Sequence, residues 1–148
     1  IYVTHDQLEA TRREMASLET KLRTEEEWSG FWAALSVREI RLQPTPDGSA
    51  SLLAKVAYDP DSKRAVVAVS NFTPPAGKDY QLWAITAAGP ASLGLVRADT
   101  TGQAVLRLTN VGASGLPAAF AVSLENAGGA PTPNAPAGPV VLVGKVGG

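Results

Sequence analysis

The spacing of apolar side chains changes character once along the chain, near residue 36. Before that point Leu8, Met15 and Leu22 recur every seven residues, with Leu18 on the same seam, in a stretch without Pro or Gly. Apolar positions at that spacing fall on one side of an α-helix. They predict a single long helix over residues 5–28, about 36 Å from end to end at 1.5 Å per residue. Thr4 and Gln7 match a capping box at its start. Glu9–Arg13 and Glu19–Arg23 set acid before base at i,i+4, each pair worth ~0.2–0.5 kcal/mol. Trp28, Phe31, Trp32 and Leu35 come next at i, i+3, i+4 and i+7, so helical spacing runs on past Gly30 and gathers aromatic surface on one face. This set reads as an anchor docking the helix on the downstream domain. A membrane-interface belt and a partner surface are the alternatives.

After residue 36 the period falls to two. Residues 37–42, 51–58, 64–70, 80–86, 92–98, 104–109, 119–124 and 140–146 read as short strands. Turn chemistry parts them at Pro46-Asp47-Gly48, Asp59-Pro60-Asp61, Pro74-Pro75-Ala76-Gly77, Ala88-Gly89-Pro90, Thr101-Gly102 and Gly128-Gly129. Strands so closely spaced, with no helix between them, predict an antiparallel β-sandwich of about seven or eight strands, immunoglobulin-like or similar. Tyr80–Ile85 and Arg64–Val69 lack polar alternation and are expected to be buried on both faces. We place Tyr80–Ile85 centrally. The chain therefore divides into a helical stalk with an aromatic anchor, residues 1–35, and a β-sandwich domain, residues 36–148. All 11 prolines and 13 of the 14 glycines lie in the second part.

Charge and composition narrow the function. Lys plus Arg number 13 and Asp plus Glu 14, a formal net charge of −1, so no basic footprint points to nucleic acid. Cysteine is absent, which removes disulfides, thiolate nucleophiles and thiolate metal sites. His5 is the one histidine and sits on the stalk, far in sequence from every strand, where a Ser-His-Asp triad cannot be built around it. The acids of the β-domain fall mostly in turns, where Asp bonds its own backbone. Glu125 ends a strand and is expected to be solvated or paired with a base. Asp59-Pro60-Asp61 lacks the ligand series of a calcium loop. Asn71-Phe72-Thr73 is a formal glycosylation sequon. Pro131-Thr132-Pro133-Asn134-Ala135-Pro136 reads as a stiff loop between two strands. No catalytic residue, metal ligand or cofactor is expected, and the chain reads as a non-enzyme. The stalk has two open readings, a helix packed on its own domain or a self-associating homodimer. The apolar positions Ile1, Leu8, Met15 and Leu22 fill one heptad column, while Thr4, Thr11, Leu18 and Glu25 fill the other only in part.

Several ordered motifs then point one way. Pro75-Ala76-Gly77-Lys78-Asp79-Tyr80-Gln81-Leu82-Trp83-Ala84-Ile85, Ser92-Leu93-Gly94-Leu95, Phe120–Glu125, Gly128-Gly129-Ala130-Pro131-Thr132-Pro133 and Gly138-Pro139-Val140-Val141-Leu142 occur in this sequence. Together, over about residues 50–146, they resemble the C-terminal, extracytoplasmic domain of anti-sigma-K-type anti-sigma factors. Gly77, Tyr80, Gln81, Leu82, Trp83, Gly94, Gly128, Gly129 and Pro139 carry the resemblance and are expected to determine the fold. Trp28, Phe31, Trp32 and Leu35 are the candidate docking or partner surface. The resemblance implies a single-pass bacterial membrane regulator. A transmembrane helix outside this chain would hold it, and an absent cytoplasmic domain would bind an extracytoplasmic-function sigma factor. An extracytoplasmic protease would begin release of that factor. The chain starts at Ile1, and we read it as a fragment or processed product displayed on the periplasmic or cell-wall side. The competing reading is a carbohydrate- or cell-wall-binding β-sandwich module.

Overall fold

The computed structural model describes residues 5–113 and 115–146. Chain contacts group into two units, Ile1–Leu35 and Ser36–Gly148. The first contains α1 (His5–Ala33), 29 residues long. It continues five residues beyond the expected end, because Gly30 removes a side chain without removing a backbone donor. The Glu9–Arg13 pair forms at 3.5 Å between exposed side chains. The capping box at Thr4 and the Glu19–Arg23 pair lie outside the described residues and side chains. Leu8, Met15 and Leu18 of the seam are exposed.

The second unit holds eight strands: β1 (Arg38–Pro44), β2 (Leu53–Asp59), β3 (Arg64–Ser70), β4 (Lys78–Thr86), β5 (Gly89–Val96), β6 (Ala104–Leu108), β7 (Ala119–Asn126) and β8 (Val140–Lys145). The order across the sheet is β5-β4-β7-β8-β1-β2-β3-β6, antiparallel at every junction. The expected antiparallel, mainly β body is therefore present, as one sheet folded into two layers. β1 makes the fold. Its residues Arg38–Leu42 pair with β2, whereas Gln43 and Pro44 pair with β8. A strand that changes partners midway turns the corner between layers. Gly144 permits the close approach there, since a Cβ would stand 2.8 Å from the Arg41 carbonyl oxygen.

β4 is an interior strand but second from one end of the sheet, not at its centre. Alternation inside an apolar strand sets no position in strand order, because order depends on partners far away in sequence. β3 is likewise interior, next to the opposite end.

Inward side chains of both layers make one core. Ile40, Leu42, Ala54, Val56, Tyr58, Ala65, Val67 and Val69 come from one layer, and Tyr80, Leu82, Ala84, Phe120, Val122 and Leu142 from the other. The rings of Tyr58 and Phe120 meet edge to face at 5.6 Å, bridging the layers. Tyr58 and Tyr80 are held above the usual phenol pKa, chiefly by burial, with the Asp59 charge adding to it at Tyr58.

Candidate functional site

Of the motif residues, Gln81, Trp83, Gly128 and Gly129 gather at one place, the outward face of the β4–β7 pair. Side chains alternate across a strand, so Tyr80, Leu82 and Ala84 of β4 enter the core while Asp79, Gln81 and Trp83 point the other way. Their cross-strand neighbours on that same face are Glu125, Ser123 and Ala121. An outward face is ordinarily wet. Here Gln81, Trp83, Ala121, Ser123 and Glu125 are all buried. Trp83 is fully buried on the opposite face of β4 from Tyr80 and Leu82, so this strand is buried on both faces, as its lack of polar alternation predicts.

The segment 127–139 between β7 and β8 is fastened across this face like a strap. Gly128 N–H donates to Asp79 Oδ2 at 2.9 Å, and Ala130 N–H to Gln81 Oε1 at 2.7 Å. Ala137 and Gly138 N–H groups both donate to Glu125 Oε1, at 3.1 and 2.9 Å. Ser92 N–H donates to the Pro133 carbonyl at 3.0 Å, and Ala127 N–H to the Gly77 carbonyl at 2.9 Å. Leu124 N–H closes the far end on the Pro139 carbonyl at 2.9 Å. Beneath the strap the polar atoms continue inward. Gln81 Nε2 donates to Ser92 Oγ at 2.7 Å, and the Trp83 indole N–H to Ser123 Oγ at 2.9 Å. A buried indole or amide left unpaired would cost about 1–3 kcal/mol, which explains why serines stand opposite them.

The glycines fit the same arrangement. Gly128 and Gly129 have φ of +93° and +95°, a region that side chains avoid. A Cβ on Gly129 would also stand 2.8 Å from Gln81 Oε1. Gly77, at φ +76°, forms the turn into β4 and Gly94, at φ +107°, lies on β5 beside the β4–β5 register shift.

Glu125 is neither solvated nor paired with a base, contrary to the sequence reading. It is 1% exposed, its Oε1 is bound by two backbone N–H groups, and Oε2 is buried without a hydrogen-bond partner. Its role was hidden because its partners are main-chain groups 12 and 13 residues downstream. The one signal available was a polar residue within an otherwise apolar strand, a signal that Gln81 and Ser123 share.

A second polar centre sits at the start of the β-domain. Asp59 is buried and accepts hydrogen bonds from Ser36 Oγ at 2.6 Å, Ser62 Oγ at 2.7 Å and Asp61 N–H at 3.1 Å. The Ser36 hydroxyl, with Ser62 and the backbone N–H groups of Asp61 and Ser62, holds its carboxyl below the ordinary range against the opposing effect of burial. Asp99 is likewise lowered, first by the Thr101 hydroxyl and then by the N–H groups of Gln103 and Thr101. Both aspartates do turn work, as the sequence implies. In the sequon, Asn71 Nδ2 is engaged with the Ser51 carbonyl at 2.8 Å.

Within the helical unit the Phe31 ring meets Trp28 at 5.6 Å and Trp32 at 5.0 Å, both edge to face. Trp32 is 59% exposed and Leu35 fully exposed. Among the described residues, no three of His, Cys, Asp and Glu gather as a metal site, and no helix is long and apolar enough to cross a membrane. The strap face is chemically a fastening. Its carboxylates and amide accept main-chain N–H groups, and its serine is fully buried beneath an indole.

One comparison with known proteins shows the family. The family model described as "Anti-sigma-K factor rskA, C-terminal" matches residues 3–140. No curated protein and no solved structure matches the chain significantly. The matched span includes the helix, the β4 motif, the strap and its anchors, and the chain belongs to the anti-sigma-K factor C-terminal family.

Proposed function

We propose that this chain is the extracytoplasmic regulatory part of a single-pass membrane anti-sigma factor, and that it controls an extracytoplasmic-function sigma factor through regulated proteolysis. Family membership over residues 3–140 carries the reading, since it supports an anti-sigma regulatory role and a sigma factor as the partner of the whole protein. That family is regulatory rather than enzymatic. The membrane-side placement, the upstream transmembrane helix and the cytoplasmic sigma-binding domain belong to this proposal. In it, residues 1–35 form a stalk and residues 36–148 the displayed domain.

The stalk is the place for the first cut. A single helix has only local hydrogen bonds and opens readily, whereas strands tied into a two-layer core do not. The gene upstream of Ile1 should encode a transmembrane segment and a sigma-binding domain. A phosphatase fusion at the β-domain should be active only when exported. An inactive fusion to the full-length protein, or an upstream region lacking both segments, would overturn the reading. Limited proteolysis should cut residues 1–35 before any strand, and first cleavage inside 36–148 would remove the stalk from the mechanism.

The exposed indole of Trp32 favours a second reading, a module that binds carbohydrate or cell wall. Tryptophan fluorescence that stays unchanged across a glycan and peptidoglycan panel would dismiss it.

A further inference from the structure

β1 changes partners after Leu42. Ile40 and Leu42 enter the core there, so Glu39, Arg41 and Gln43 face outward, and all three are exposed. Two open cavities flank them. One, of about 430 Å³, runs over β1, β2 and β3, with Arg41, Gln43, Leu53, Lys55 and Ala68 in its walls. The other, of about 540 Å³, lies where β1 parts from β8, with Glu39, Arg41, Gln43, Val143 and Lys145 in its walls. Either volume is that of a small-molecule cleft, ~300–1,000 Å³.

The charges around these cavities are one-sided. Among the described residues the first is walled by two bases, Arg41 and Lys55, and no acid. The second adds Lys145 and has Glu39 as its one acid. Such an excess of bases contrasts with a chain whose formal net charge is −1. Strand register makes it costly. Arg41 lies directly opposite Lys55, and like charges facing each other across two strands are destabilising. Glu39 answers Lys55 from a diagonal position, at 3.3 Å. Arg41 and Lys145 have no hydrogen-bond or ion-pair partner among the described residues. Ala68 is the other cross-strand neighbour of Lys55, and both Ala68 and Leu53 are exposed, so apolar surface adjoins the bases.

We infer that the cleft over β1, β2 and β3 binds a small organic oxyanion, a carboxylate or a phosphate ester, with its charged end between Arg41 and Lys55 and a short apolar body over Leu53 and Ala68. A guanidinium offers paired donors to two oxygens of such a group, and the neighbouring ammonium adds a point charge. The bound anion neutralises the repulsion between the two bases, so the register that is unfavourable in the free protein becomes the element of recognition.

Hexyl phosphate and hexanoate are the probes, hexanol and inorganic phosphate the controls, and amide chemical shifts of the whole chain the readout. The two amphiphilic anions should give saturable shifts on residues 41–43, 53–55 and 68–70, and the tighter of them assigns the oxyanion as phosphate ester or carboxylate. Hexanol lacks the charge and inorganic phosphate lacks the apolar body, so each should bind about tenfold more weakly or worse. Arg41→Gln should weaken the anions by about tenfold or more. Glu39→Gln, which releases Lys55, should strengthen them about twofold, and added salt should weaken them. The thermal midpoint separates a ligand contact from a structural one. Arg41→Gln relieves the like-charge pair, so its midpoint should hold or rise while binding is lost. No saturable shifts with either anion, shifts centred elsewhere, or hexanol or inorganic phosphate binding as tightly as the amphiphiles would overturn the proposal. Unchanged affinity in Arg41→Gln, or a lowered midpoint in that variant, would also overturn it. None of these failures bears on membership of the anti-sigma family, and the cleft does not depend on where the whole protein is displayed.

Discussion

The two layers of the β-domain treat their outward faces differently. On the β4–β7 pair the outward side chains Gln81, Trp83, Ser123 and Glu125 are buried, and segment 127–139 is tied over them by main-chain N–H groups. On the β1–β2–β3–β6 side, Leu53 is 58% exposed, Val105 is 69% exposed and Ala68 is exposed too, while the cross-strand neighbours Ala57 and Val66 on the same face are buried and apolar. The inward faces are alike, close-packed aliphatic and aromatic surface. A second, polar core on one face of one layer is therefore the distinguishing feature, and the family motifs spell it out. Half of the Tyr80–Trp83 segment belongs to each core.

Trp83→Ala should produce the largest effect. Truncating a fully buried indole that also donates a hydrogen bond should cost about 3–5 kcal/mol, read as a lower urea midpoint. Leu53→Ala, on the open face, should stay within about 0.5 kcal/mol. Equal costs at the two positions would erase the contrast between faces. Gly129→Ala comes next, at about 1–3 kcal/mol, because it combines positive φ with a contact against Gln81. Gly128→Ala has the same backbone sign but open space around it, and should cost less in the same denaturation assay. Gln81→Ala should cost about 1–3 kcal/mol and raise hydrogen exchange at Ala130, the amide it holds. Unchanged exchange at Ala130 would mean that the strap does not depend on this anchor.

Acid should weaken the other polar centre. The Asp59 carboxyl is lowered in the folded protein, so its contribution to stability is complete above its unfolded pKa, ~3.9. It is lost as pH falls through the lower folded value. Ser36→Ala removes the first cause of the shift, so it should lower the thermal midpoint most at neutral pH and least in acid, and the fall in midpoint on acidification should be flatter. The smallest effect belongs to the open face again. Glu39 and Lys55 pair at 3.3 Å between exposed side chains, and Glu39→Gln should shift stability by no more than ~0–1 kcal/mol, less still at high salt.

Much of this fold is legible in the order of residues. Period-two patterning and turn chemistry located all eight strands, and the largest end difference is at β5, which begins at Gly89 rather than Ser92. Pro90 discouraged that extension in the sequence reading. Pro90 can be accommodated because β5 lies at the end of the sheet, where a missing N–H does not interrupt an interior ladder. The strap was visible only as a proline-rich loop, and Glu125 only as a strand-ending acid.

Local physics accounts for that division. Side-chain alternation, helical periodicity, glycine and proline turn preferences, and the absence of cysteine act over a few residues, so the sequence by itself determined the elements, their boundaries to within a few residues and the chemistry available to them. Tertiary structure alone decided the strand order, the crossing of β1 between layers, and which face of β4 meets the main core. Where both parities of a strand are buried, alternation cannot say which one faces inward. The burial of Glu125 likewise depended on main-chain groups that only the folded strap delivers, because an N–H group carries no signature in the residue that bears it.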